Sequence, residues 1–127
     1  MDTQIVVSSL LALVLILFVM RTLKIRSLKQ YTAAQLDSAM KGSSNIVLLD
    51  VRTAEERGRS SIRGSVHIPL QSLRSRMQEL EKLRTKEIVC YCQSGSRSVS
   101  AALQLRKSGF TVANLKGGMA DWNFAHR

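Results

Sequence analysis

The chain has 127 residues, room for one domain of ordinary size plus an appendage, and its 19 Lys/Arg against 9 Asp/Glu give a formal charge of +10. Aromatics make up only 5% and the basic residues are scattered, which argues against nucleic-acid binding and suits a small anionic substrate. Two cysteines one residue apart, Cys90 and Cys92, exclude a disulfide framework.

Residues 5–20, IVVSSLLALVLILFVM, hold no charge and no helix breaker. With Thr3, Gln4, Thr22 and Leu23 the run approaches the roughly 20 residues that a spanning helix needs. A cleaved signal peptide is the rival reading. Against it, the preceding MDTQ has an acid and no Lys or Arg, and no A-x-A-like site follows. The expectation is an anchor with its basic flank over residues 1–24 and a domain over residues 25–127. Arg21, Lys24, Arg26 and Lys29 crowd the C-terminal side of the run, which puts the domain on the cytoplasmic face of the inner membrane. Without those four and Asp2 the domain carries about +7.

A short basic connector, KIRSLKQ, leads to a helix in YTAAQLDSAMKG, where Thr32 and Gln35 form a capping-box pattern and Gly42 is a stop. IVLLD, residues 46–50, is a continuous apolar run that suits a parallel strand buried on both faces. A short helical turn and a loop follow, then a brief strand over residues 65–69, closed by the only proline. Leu70, Leu73, Met77, Leu80 and Leu83, at spacings of three and four, predict one helix with an apolar face. EIVCY, residues 87–91, is a second buried strand. A helix over residues 98–108 should turn Val99, Ala102 and Leu103 inward and stop at Gly109. TVANL is a last strand, and KGGMADW a tight turn into a terminal helix. Alternation at this spacing predicts an open α/β domain with a mainly parallel sheet flanked by helices.

In such a sheet ligands bind at the carboxyl ends of the strands, where helix N-termini lie. Cys92 falls there, after EIVCY, and the N–H groups of a helix start favour an anion and lower a thiol's pKa. In QSGSRS, Gly95 lets the backbone curl so that successive N–H groups turn inward, and Arg97 adds a cation. Cys90, between Val89 and Tyr91, reads as core. The two-residue spacing keeps a resolving thiol open as the lesser alternative. A metal site would need Cys90, Cys92, His67 and His126 together, with one histidine in a strand and the other in the C-terminal tail. The same scarcity of histidine assigns activation of Cys92 to loop dipoles and Arg97 rather than to a general base.

LLDVRTAEE (residues 48–56), IRGSVHIPL (62–70), CQSGSRS (92–98) and KGGMADW (116–122), in that order, resemble the single-domain rhodaneses, sulfurtransferases that carry sulfur as a cysteine persulfide. The resemblance spans about residues 28–125. It implies that Cys92 becomes the persulfide, that the amides of Gln93, Ser94, Gly95, Ser96 and Ser98 cradle the sulfur, and that Arg97 stabilises the anion. Asp50 and Arg52 would brace the loop or help bind substrate. Trp122 would support the fold. An anionic donor such as thiosulfate and a thiol or protein acceptor are implied, with no cofactor. The sequence departs from the family at Ser60 and Ser61, where many relatives have Gly-His, and at Arg57, where an aromatic is common. A membrane-tethered sulfur-relay module with little activity on small donors is an alternative. A phosphatase or arsenate reductase is disfavoured, because related phosphatases place five residues between Cys and Arg, and here four intervene.

Overall fold

A computed structural model describes residues 2–127. Its elements are α1 (Thr3–Arg26), β1 (Gln30–Tyr31), α2 (Ala33–Gly42), β2 (Ile46–Asp50), α3 (Ala54–Arg59), β3 (Val66–His67), α4 (Leu73–Arg76), β4 (Glu87–Tyr91), α5 (Ser96–Lys107), β5 (Thr111–Leu115) and α6 (Gly118–Ala125). The strands form one sheet in the order β1-β5-β4-β2-β3, with every pairing parallel.

Alternation along the strands sorts side chains to two faces. Ile88, Cys90 and Cys92 join Leu49 and Val51 under Ala101, Ala102 and Leu105 of α5 and Leu73 of α4. Val89 and Tyr91 join Leu48 under Leu36 of α2 and Met119 of α6. With both faces covered, β4 has to be apolar along its length, which explains its unbroken run. After β2 the chain turns outward to β3, whereas after β4 it crosses to β5 on the other side. The carboxyl ends of β2 and β4 therefore flank a topological switch point, the crevice where open α/β sheets bind ligands.

Thr32 caps α2 through the expected reciprocal pair, with Gln35 N donating to Thr32 Oγ1 at 3.2 Å and Thr32 N to Gln35 Oε1 at 3.0 Å. Three expectations change. The single helix over residues 70–83 is instead a 3-10 turn (Leu70–Ser72), the short α4 and a second 3-10 stretch (Met77–Leu83). Spacings of three dominate that apolar set, and three residues per turn keep it on one face. The strand at residues 65–69 shrinks to Val66–His67, an edge strand paired only with β2. On α5 the fully buried set is Ser98, Ala101, Ala102 and Leu105, at offsets of three, four and seven, with Val99 packed partly buried against the same core as expected. Leu103 lies off that stripe and faces a groove beside α1.

None of the described residues of α1 is buried, and α1 is long and apolar enough to cross a membrane. β1, where the expected connector meets the segment of α2, pairs with β5 at Gln30 and Asn114 and at Tyr31 and Leu115.

Candidate active site

Cys92 follows β4 directly, and the loop it begins is short because α5 starts at Ser96, two residues earlier than the sequence suggested. Gly95 makes this possible with φ of 104°, a left-handed conformation that favours glycine. No side chain caps α5, so its first N–H groups are free to serve the sulfur. Gly95 N–H donates to Cys92 Sγ at 3.0 Å, and Ser98 Oγ lies 3.3 Å from the same atom. Burial pushes the Cys92 thiol up, but the Ser98 hydroxyl and the backbone N–H groups of Ser98, Gly95 and Ser94 outweigh it, and the net direction is down. Cys92 thus acts as the acceptor that α5 otherwise lacks, with the helix dipole favouring its thiolate.

Cys90 lies in the core on the same side of the sheet. Burial, with Cys92 beside it, pushes its thiol up to about 12, so it stays a neutral thiol in the physiological range.

The loop is locked from behind by α6. Met119 N–H donates to Cys92 O at 2.8 Å and Ala120 N–H to Gln93 O at 3.1 Å. Gly118, at φ of 58°, brings the start of α6 so close that a Cβ there would lie 2.3 Å from Cys92 O. With these carbonyls held by α6, the N–H groups on the other side of the loop are left for Sγ. Gln93, Ser94 and Ser96 are exposed at the rim, whereas Ser98 is fully buried against the thiol.

Arg97 sits in the first turn of α5 and makes a two-pronged ion pair with Glu56 of α3, both N···O distances being 2.7 Å. That pair holds the Glu56 carboxyl at about 2 and raises Arg97, which the charge on Cys92 raises further. In the sequence Glu56 stands out only as part of LLDVRTAEE. Its local signal is a second capping box, since Thr53 and Glu56 cap α3 reciprocally.

Asp50 and Arg52 are almost entirely buried, at 0% and 1% exposure. Arg52 donates through Nε to Asp50 Oδ1 at 3.0 Å and through Nη2 to Asp50 Oδ2 at 2.9 Å. Its remaining side-chain hydrogen bonds go to the carbonyls of Glu56 and Ser60, and to Gln93 Oε1 at 3.2 Å, its one direct link to the Cys92 loop. Burial opposes the Asp50 charge, but Arg52 and Tyr91 more than compensate and its carboxyl titrates below the ordinary range. Arg57, the departure from the aromatic pattern, joins this network. It reaches Asp50 Oδ2 at 3.2 Å, Ser65 Oγ at 2.9 Å and Ser65 O at 2.9 Å. A polar cluster with Tyr91 Oη thus surrounds Arg57, at the position where the resembled family commonly has an aromatic.

His67 Nε2 bonds the Arg52 carbonyl at 2.7 Å, and His126 stacks on Trp122 with ring centroids 4.0 Å apart. His126, in the C-terminal tail, thus packs on the end of α6. Trp122 rests half-buried against the cluster under α2 and α6.

Residues 32–125 match the family model described as Rhodanese-like domain. YtwF of Bacillus subtilis is 34% identical over 95 residues, 75% of this chain and 90% of that protein. The sulfurtransferase of Allochromatium vinosum is 33% identical over 88 residues, 68% of this chain and 80% of its own length. Among solved structures, a rhodanese-related protein from Thermoplasma volcanium superposes with a TM-score of 0.70 at 31% identity, over 76% of this chain and 92% of that one.

Proposed function

The chain belongs to the rhodanese-like family, whose relatives include sulfurtransferases, and from that premise we propose that it moves sulfane sulfur through a persulfide on Cys92. The thiolate attacks the outer sulfur of an anionic donor. With thiosulfate, a bond forms between Sγ and that sulfur while the bond to the sulfonate sulfur breaks, its electron pair leaving with sulfite. The terminal persulfide sulfur, negatively charged, takes over the acceptor position among the loop N–H groups. A thiophilic acceptor, a thiol or a protein thiol, then attacks the terminal sulfur and releases the Cys92 thiolate.

One observation carries this reading: a thiol with its pKa lowered by converging N–H and O–H donors, in a loop that passes straight into α5 after Gly95. The short loop suits one sulfur atom rather than a tetrahedral oxyanion. Arg52 and Asp50 act as bracing, and Arg97 holds α5 to α3 while keeping positive charge beside the thiolate. Mass spectrometry of the intact protein after thiosulfate exposure should show an adduct of about 32 Da, the mass of one sulfur, on Cys92. Its absence from folded wild-type protein, or an equal adduct in Cys92→Ser, refutes the proposal.

The Glu56 carboxylate favours a second donor class. It offsets the Arg97 charge that would draw a small dianion, which suits delivery from a protein persulfide. We further read α1 as a membrane anchor, with Arg21, Lys24 and Arg26 holding the domain on the cytoplasmic side.

A further inference from the structure

The groove that Leu103 faces runs between the last turns of α1 and the pair α4 and α5. It encloses about 740 Å³ and is lined by Leu17, Met20 and Leu103 together with Arg21, Lys24, Arg74, Arg106 and Lys107. No carboxylate lines it. Elsewhere some surface cations have acidic partners, as Lys29 has Glu87, Lys41 Asp37, Arg59 Glu55, Arg76 Glu79 and Arg84 Glu81, and the cations without one, such as Arg63, Lys82 and Lys116, line no shared groove with an apolar floor. Among the described residues the five groove cations make no salt bridge.

Two ordinary causes explain part of this charge. Arg21 and Lys24 serve as topology signals, and Arg106 and Lys107 complement the carboxyl end of the α5 dipole. Neither explains Arg74, which comes to the same groove from a third element. Arg106 donates to Lys24 O and Ser27 Oγ, both at 3.2 Å, and so joins the two walls of the groove.

Depth also decides the chemistry. At 1.5 Å per residue, Leu17 to Lys24 spans roughly 10 Å along α1, from the last apolar turns into the basic flank. This is the scale on which a bilayer passes from acyl chain to headgroup. An apolar floor below a ring of unpaired cations is complementary to one kind of molecule. We propose that the groove binds a single anionic phospholipid, its phosphodiester held by Arg74, Arg106 and Lys107 and an acyl chain lying along Leu17, Met20 and Leu103. The proposal rests on the reading of α1 as a membrane span.

The test is native mass spectrometry of the full chain in a non-ionic detergent. Phosphatidylglycerol and phosphatidylcholine of identical acyl chains are added in equal amounts, with glycerol 3-phosphate as the soluble phosphate source. Wild type should retain phosphatidylglycerol over phosphatidylcholine by at least about tenfold, and should not retain glycerol 3-phosphate. The R74Q/R106Q/K107Q variant should lose that preference, while R63Q/K82Q/K86Q, with equal loss of charge away from the groove, should keep it. Equal retention of the two lipids, an unchanged groove variant, equal losses in both variants, or capture of glycerol 3-phosphate overturns the proposal. Persulfide formation by the groove variant confirms that it is folded. Alkaline carbonate extraction of membranes tests the anchor separately, since release of the chain there refutes the span while the lipid preference in detergent reports on the groove alone.

Discussion

Ser98 supplies two donors to one sulfur, its hydroxyl and its backbone N–H, and both act on the charged form of Cys92. Removing the hydroxyl leaves the backbone N–H groups of Ser98, Gly95 and Ser94 in place, so the loop should keep its shape. A hydrogen bond to a charged group contributes roughly 1.5–3 kcal/mol, and about 1.4 kcal/mol is a factor of ten. In Ser98→Ala the thiolate is less favoured, so the pH profile of persulfide formation should move to higher pH and the rate at pH 6 should fall by about tenfold. Profiles superimposable on wild type would show that the hydroxyl is only packing. The network around Asp50 teaches a different lesson at this scale. A carboxylate at 0% exposure persists because Arg52, Arg57 and Tyr91 all donate to it, and removal of any one leaves a buried charge short of partners.

At the scale of elements, the candidate site is an agreement between two helix starts. α5 presents its free N–H groups to Sγ, and α6 holds the loop's carbonyls from the other side. Gly118→Ala attacks that agreement directly. A left-handed residue with a Cβ costs roughly 1–2 kcal/mol before any clash, and here the Cβ meets the carbonyl oxygen of Cys92 itself. The variant should lose at least several degrees in thermal midpoint and most of its persulfide formation. Gly58→Ala is the matched comparison, because a Cβ at this position in α3 meets nothing within 4 Å. It should be neutral or slightly stabilising. A Gly118→Ala protein as stable and active as Gly58→Ala would mean that the loop does not depend on α6. These contacts also mark what was legible in the sequence. β2 and β4 are visible as apolar runs, β5 as the short run TVANL after Gly109, and Cys92 as the point where β4 turns polar. β1 has two residues and no pattern of its own, since only its ladder with β5 makes it a strand. The Arg97–Glu56 pair joins residues 41 apart, and no local periodicity reports a partner at that distance. Leu103 is apolar like the core residues of α5, and only the position of α1 shows that its face belongs to the groove rather than the core.

On the scale of the whole molecule, the two apolar clusters begin at Leu28 and take nothing from α1. Core stability and the proposed anchoring are therefore separable. What α1 gives the domain is a few surface contacts with α5, chiefly the Arg106 bonds to Lys24 O and Ser27 Oγ, all at exposed positions where such bonds contribute little. What it adds to the molecule is a long apolar helix with no buried residue, which on the proposed reading as an anchor lies in lipid. A fragment of residues 28–127 should then fold without detergent and form the Cys92 persulfide at close to the rate of the full chain. Its thermal midpoint should lie within about 5 °C of that chain in detergent, because a loss of 1 kcal/mol moves a domain of this size by about 4–8 °C. Calorimetry and the thiosulfate adduct measure the two properties on one sample. A fragment that aggregates or melts far lower would place part of the folding stability in the contact between α1 and α5. A fragment that folds but fails to take up sulfur would instead mean that the far end of α5 must be held by α1 for its first turn to serve the thiolate.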